Sequence, residues 1–142
     1  MALTLAWHRL DAWPDVSPGL AGLRKRFLIA PVSNGNIALM ADLARRNEIL
    51  WDAILGADLA RAFKPQRDVY LAAADAFNLR PSECLMSAAH ASDLEAAAAS
   101  GLRVAYILRP LERPGSSATV PNMPLDFSVR DTLELAKRLG AG

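Results

Sequence analysis

Four short stretches of largely unbroken hydrophobic character punctuate the chain: RFLIAPV at 26–32, DAILGA at 52–57, CLMSAA at 84–89 and RVAYIL at 103–108. Apolar residues that do not alternate with polar ones predict strands covered on both faces. Between these runs the spacing becomes helical. NIALMADLARRN places Ile37, Met40, Leu43 and Ala44 on one stripe, and QRDVYLAAADAFN does the same with Val69, Ala72, Ala73 and Phe77. SDLEAAAASG offers Ser92 as an N-cap, an acidic first turn and Gly101 as a stop. Strands alternating with helices predict a parallel, doubly wound α/β sheet of Rossmann-like design.

The ends are less regular. WHRLDAWPDVSPGL carries two Trp and two Pro around a turn, followed by a short helix over 17–25. RPLERPGSSATVPNMP, 109–124, is rich in Pro, Gly and Ser and predicts a surface loop, and RDTLELAKRL, 130–139, predicts a terminal helix. The whole of 1–142 reads as one domain.

Composition narrows the partners. With 52% hydrophobic and 22% charged residues and a formal net charge of +1, the chain has no basic excess that would suit nucleic acid. Its tight basic run, Arg24-Lys25-Arg26, is expected at a solvated helix end. The single cysteine, Cys84, excludes an internal disulfide and is expected as a buried, unreactive thiol, because no basic neighbour favours its thiolate. MALTLAWHRL lacks a basic n-region and is broken by His8 and Arg9, so it is not expected to be a signal peptide. No run reaches the roughly 18 apolar residues of a membrane span. The cytoplasm is the expected compartment.

In open parallel sheets, ligands bind beyond the carboxyl ends of the strands. Each of the four ends carries a polar signal: Ser33 and Asn34, then Lys64, then His90 and Asp93, then Arg109. Convergence of all four on one site is the expectation. Each also admits a plainer role. Ser33-Asn34-Gly35-Asn36 suits a helix cap, which is compatible with anion binding. Lys64 before Pro65 suits a solvent-facing residue ahead of a helix. Asp93 suits a helix dipole, and His90 a hydrogen-bonded turn.

Taken in order, a strand ending in Ser-Asn-Gly-Asn, Lys-Pro opening a helix that holds Tyr70, and MSAAHASDLEAAAASGLRVAYILRP resemble the haloacid dehalogenase superfamily, and within it the type II L-2-haloacid dehalogenases. The resemblance runs from WHRLDAWPDVSPGL to LRP. It implies covalent catalysis, in which an aspartate displaces halide from a short 2-haloalkanoic acid and water cleaves the resulting ester. It assigns Ser33, Asn34 and Tyr70 to substrate binding, and Lys64, Asp93 and His90 to catalysis. The lysine keeps the nucleophilic carboxylate ionised, Asp93 positions the lysine and the water, and His90 stands where other members carry Asn. Ala88 replaces a Ser of the same motif.

The superfamily's phosphatases place a second magnesium-binding carboxylate four residues before the aspartate. Here that residue is Ala89, so neither metal nor other cofactor is expected. The family's opening strand, with its nucleophile, and the helical cap have no counterpart in these residues, and 1–16 match the return from cap to core. Asp11 and Asp15 match no nucleophile motif. The resemblance therefore implies an α/β core with a gap in mid-sheet, inactive alone, and self-association, a complementing N-terminal chain or a rearranged sheet as consequences. A non-catalytic binding or assembly module and a phosphatase are the alternatives.

Overall fold

The computed structural model describes residues 5–113, 115 and 120–142. Parallel pairing organises them into two sheets. In the first, β1 (Val32–Ser33) pairs with β2 (Leu55–Gly56), Val32 opposite Leu55 and Ser33 opposite Gly56. In the second, β3 (Leu85–Ala88) pairs with β4 (Arg103–Ile107), which pairs on its other side with β5 (Phe127–Val129). Among the described residues β1 and β3 each have one strand partner, so one edge of each is open.

Helices cover both faces of the second sheet, and alternation along β4 divides the core. Val104 and Tyr106 pack with Met86, Leu94, Ala97 and Tyr70 on one side. Ala105 packs on the other with Leu23, Val129, Leu135, Ala136 and Ala141. The first side is roofed by α4 (Arg67–Ala76) and α5 (Ala91–Ala99), the second by α1 (Val16–Arg24) against α6 (Thr132–Arg138). On α1 a Cβ at Gly19 would come within 2.7 Å of Thr132, so the two helices approach closely because that residue has no side chain. Two further helices complete the order: α2 (Ile37–Arg46) after β1, and the short α3 (Ala57–Ala60) after β2. The N-terminal stretch lies along α2 through His8 to Asp42 at 2.7 Å and Asp11 to Arg46 at 2.8 Å.

Among the described residues no strand joins the two sheets; α4 does. It contacts β1 and β2, and its Tyr70, fully buried, enters the core of the second sheet. The chain is thus an α/β domain with parallel sheets and flanking helices.

Several local expectations are corrected. The stretch 26–32 is not covered on both faces: Phe27 is 41% and Leu28 58% exposed. Only its end forms a strand. Upstream, Pro31 accepts from Leu55 N but has no N–H to give, and Ile29 bonds to Asp52 rather than to a ladder partner. Helix α5 begins at Ala91 with His90, not Ser92, at the N-cap, because β3 runs to Ala88 and leaves room for only two linking residues. Cys84 is half-buried, not a core residue, and its thiol contacts Arg80 O at 3.6 Å. Burial and the neighbouring Glu83 charge push that thiol's pKa up, which leaves it unreactive. Strand β5 was not anticipated; three residues after a Pro-rich loop carry too little pattern. Of the loop 109–124, residue 114 and residues 116–119 lie outside the described residues, and the rest contain no helix or strand.

Candidate active site

Strand β1 ends at Ser33, where the backbone turns into α2. The Ser33 hydroxyl accepts a hydrogen bond from Gly35 N at 2.9 Å, and Asn36 caps the helix, its Oδ1 accepting from Leu39 N at 2.8 Å. Asp58 takes the Ile37 N–H at 2.8 Å. The capping role therefore falls to Asn36 and Asp58, and Asn34 is released for another task. Its Oδ1 accepts from Lys64 N at 2.7 Å while its Nδ2 donates to Lys64 O at 3.3 Å. One side chain at the end of β1 thus clasps the main chain of Lys64, which precedes cis-Pro65 and the start of α4.

The turn also depends on a glycine. Gly56, opposite Ser33, has φ +123°, and a Cβ there would stand 2.1 Å from Ser33 O. Any side chain at 56 would collide with the strand that presents Ser33 and Asn34.

From Lys64 the ammonium reaches Asp93 Oδ2 at 2.6 Å; both side chains are largely buried. The other oxygen, Oδ1, accepts from the Tyr70 hydroxyl at 2.6 Å. Burial, then the hydrogen bond to Asp93 and its charge, push the Tyr70 phenol well above its ordinary range, so it stays a neutral donor. Asn34, Lys64, Asp93 and Tyr70 form one bonded series across the ends of β1 and β3. An ammonium has three N–H donors and Asp93 takes one, so Lys64 retains capacity for a second carboxylate. The Ser33 hydroxyl, an acceptor toward Gly35, keeps its own proton to donate.

His90 stands one turn before Asp93 but outside that series. Its Nε2 lies 2.9 Å from both oxygens of Glu112, in the loop after β4. Sequence reasoning missed Glu112, Gly56 and Asp58. A Gly closing an apolar run was a legible signal for the second; the loop position of Glu112 carried none.

Arg109 does not join the site, contrary to the expected convergence. Its guanidinium makes a two-pronged pair with Asp15, both contacts at 2.7 Å, and lies over the Trp13 ring. Asp15 also accepts from Thr132 N at 2.8 Å. The Arg109 hydrogen bond outweighs the cost of burial and holds the Asp15 carboxyl far below its ordinary range. This cluster ties the N-terminal stretch to the ends of β4 and α6.

A Rossmann-like α/β domain whose polar side chains gather beyond the carboxyl ends of parallel strands is the class that fold and site define. A family model for haloacid dehalogenase-like hydrolases matches residues 1–101, and the chain belongs to that family. The (S)-2-haloacid dehalogenase 1 of Pseudomonas sp. (strain CBS-3) is 29% identical over 137 residues, covering 94% of this chain and 60% of the relative. Among solved structures, the L-2-haloacid dehalogenase PA0810 is 43% identical with a TM-score of 0.94, covering 99% of this chain and 61% of that one. A defluorinating L-2-haloacid dehalogenase is 42% identical with a TM-score of 0.93, covering 99% and 58%. The chain spans about three fifths of the length of these relatives. Among the described residues no helix is long and apolar enough to cross a membrane.

Proposed function

We propose that this chain forms the core of an (S)-2-haloacid dehalogenase, a hydrolase that replaces the halogen of a short 2-haloalkanoic acid with hydroxyl through an aspartyl-ester intermediate. The observation that carries the reading is the bonded series of Asn34, Lys64, Asp93 and Tyr70 beside the open edges of β1 and β3. The nucleophilic carboxylate comes from the part of the relatives' length that this chain does not span, on a strand seated between β1 and β3. There the free donors of Lys64 hold it ionised, as a nearby cation favours the charged form. The carboxylate oxygen attacks the halogen-bearing carbon, the carbon–oxygen bond forms, and halide leaves with the bonding pair. Ser33 donates to the substrate carboxylate or departing halide. Ala89, four residues before Asp93, favours this reading over a phosphatase, which needs a carboxylate there for magnesium.

The ligand is a small 2-haloacid, and the nucleophile-bearing segment would pair with the open edges of β1 and β3; an edge left unpaired invites association between copies of this chain. The proposed compartment is the cytoplasm, where a lone thiol such as Cys84 stays reduced.

Halide release from L-2-chloropropionate tests the reading. This chain combined with the nucleophile-bearing N-terminal portion of a relative should release halide, and Lys64→Ala in the same assembly should not. The chain alone should be inert. Release by the chain alone would place the nucleophile within these residues, and no release from the assembly would overturn the assignment.

A further inference from the structure

The turn that presents Ser33 and Asn34 has little of its own to fix it. The ladder that delivers it is two residues long on each strand, and its last rung sets Ser33 opposite Gly56, which has no side chain to pack. Within the turn, Gly35 N donates to the Ser33 hydroxyl, a contact that shapes the turn without tying it to another element. The stretch 56–64 does the tying. It leaves opposite Ser33, runs through α3 to Arg61, where the helix ends in a left-handed φ of 52°, and returns at Lys64, which the Asn34 amide takes hold of. Both ends of 56–64 therefore meet the same turn.

Asp58 stands between those ends and supplies a third tie. An acid in the first turn of a helix ordinarily serves that helix's own free N–H groups. Asp58 lies in the first turn of α3, yet its Oδ2 accepts instead from Ile37 N, 21 residues back, at 2.8 Å, and the N-cap of α3 makes no side-chain capping bond. Helix α2 already has its cap in Asn36, which takes the Leu39 N–H. The bond from Asp58 is thus not needed to start α2. It fixes where α2 starts, relative to β2 and to Lys64.

We infer that Asp58 is a positioning residue for Ser33 and Asn34, acting through the first N–H of α2. What those two residues bind follows from the dehalogenase reading above, on which this inference rests; how they are held follows from geometry alone. Removing the Asp58 carboxyl frees the start of α2 from the corner between β2 and α3. The turn 33–36 then shifts with the helix, the Asn34 amide shifts with the turn, and the Lys64 main chain loses the alignment that Asn34 imposes. Substrate binding should suffer more than chemistry, because the disturbance reaches Ser33 and Asn34 directly and Lys64 only through Asn34.

Asp58→Ala, Asp58→Asn and Asp131→Ala separate placement from stability. Asp131 makes a comparable capping bond on α6, Oδ1 accepting from Glu134 N at 2.7 Å, after β5, the strand farthest from β3 in its sheet. In NMR spectra of this chain alone, Asp58→Ala should move the backbone amides of Ser33, Asn34 and Lys64, although Asp58 bonds to none of them. Asp131→Ala should move none of the three. With this chain assembled with the nucleophile-bearing N-terminal portion of a relative, Asp58→Ala should raise KM for L-2-chloropropionate about 10-fold and lower kcat by less. Asp58→Asn keeps an acceptor oxygen at the same reach and should hold KM within about 2-fold of the parent. Asp131→Ala should lower the melting temperature about as much as Asp58→Ala and leave KM at the parent value. Unmoved amides or a parent KM in Asp58→Ala overturn the inference, as does an Asn variant no better than the Ala variant. An equal rise of KM in Asp131→Ala also overturns it, since cap loss would then act through overall stability. Each of these results leaves the dehalogenase reading intact. No halide from the parent assembly overturns that reading instead, and the amides of Ser33, Asn34 and Lys64 then decide the placement on their own.

Discussion

The side-chain amide of Asn34 holds the main chain of Lys64 from both sides, accepting from its N–H at 2.7 Å and donating to its carbonyl at 3.3 Å. This relationship makes the position of the lysine a property of β1 and not of the loop it sits in. Asn34→Ala should lower stability by about 1 kcal/mol and displace Lys64 from Asp93. Asn34→Asp keeps the shorter contact and should retain more of the parent's stability. Chemical denaturation of the three proteins checks the order.

Tyr70→Phe removes a buried hydroxyl that donates to a charged oxygen, a bond worth about 1.5–3 kcal/mol. The ring's packing is kept, so the fold should survive with a lower melting temperature. Calorimetry measures the drop; an unchanged midpoint would mean that water replaces the hydroxyl at no cost.

Gly56→Ala should be among the most damaging single changes. Its Cβ would meet Ser33 O at 2.1 Å on a backbone with φ +123°, so either β1 and β2 separate or the turn after Ser33 moves. A loss of at least about 2 kcal/mol is expected. Backbone amide shifts of Ser33 and Asn34 in an NMR spectrum locate the damage.

Asp15 gives the chain an acid-sensitive tie. Its folded pKa is depressed below the ordinary 3.8 by Arg109, so the unfolded chain binds more protons in acid. The stabilisation is fully present above that ordinary value and is lost as pH falls toward the folded pKa. Asp15→Asn should therefore cost about 3 kcal/mol near neutrality, by leaving Arg109 without its partner, and progressively less below about pH 4. Urea midpoints across pH test it; a gap that stays constant into acid would refute the linkage.

The open edge of β1, with Phe27 and Leu28 exposed beside it, should make the isolated chain associate as its concentration rises. Leu28→Lys puts a charge on the exposed apolar stretch that leads into β1 and should shift the chain toward monomer in light scattering. A chain that is monomeric throughout would remove self-pairing as an outcome.

By itself the sequence determined the fold class and the order in which the candidate-site residues follow one another along the chain. Continuous apolar runs at 84–89 and 103–108 became β3 and β4, because covering a strand on both faces requires such runs whatever their neighbours do. The same order brought Ser33, Asn34, Lys64 and Asp93 to strand ends on one edge. Only the tertiary structure decided what those residues touch. A hydrophobic run states that a strand wants cover but not whether a partner is present, so 26–32 read as buried while Phe27 and Leu28 lie exposed beside an open edge. Arg109 and Asp15 are 94 residues apart, and Glu112 lies 22 residues from His90 in a loop without periodicity. Pairings of this kind depend on side-chain reach across packed elements, which spacing along the chain does not encode.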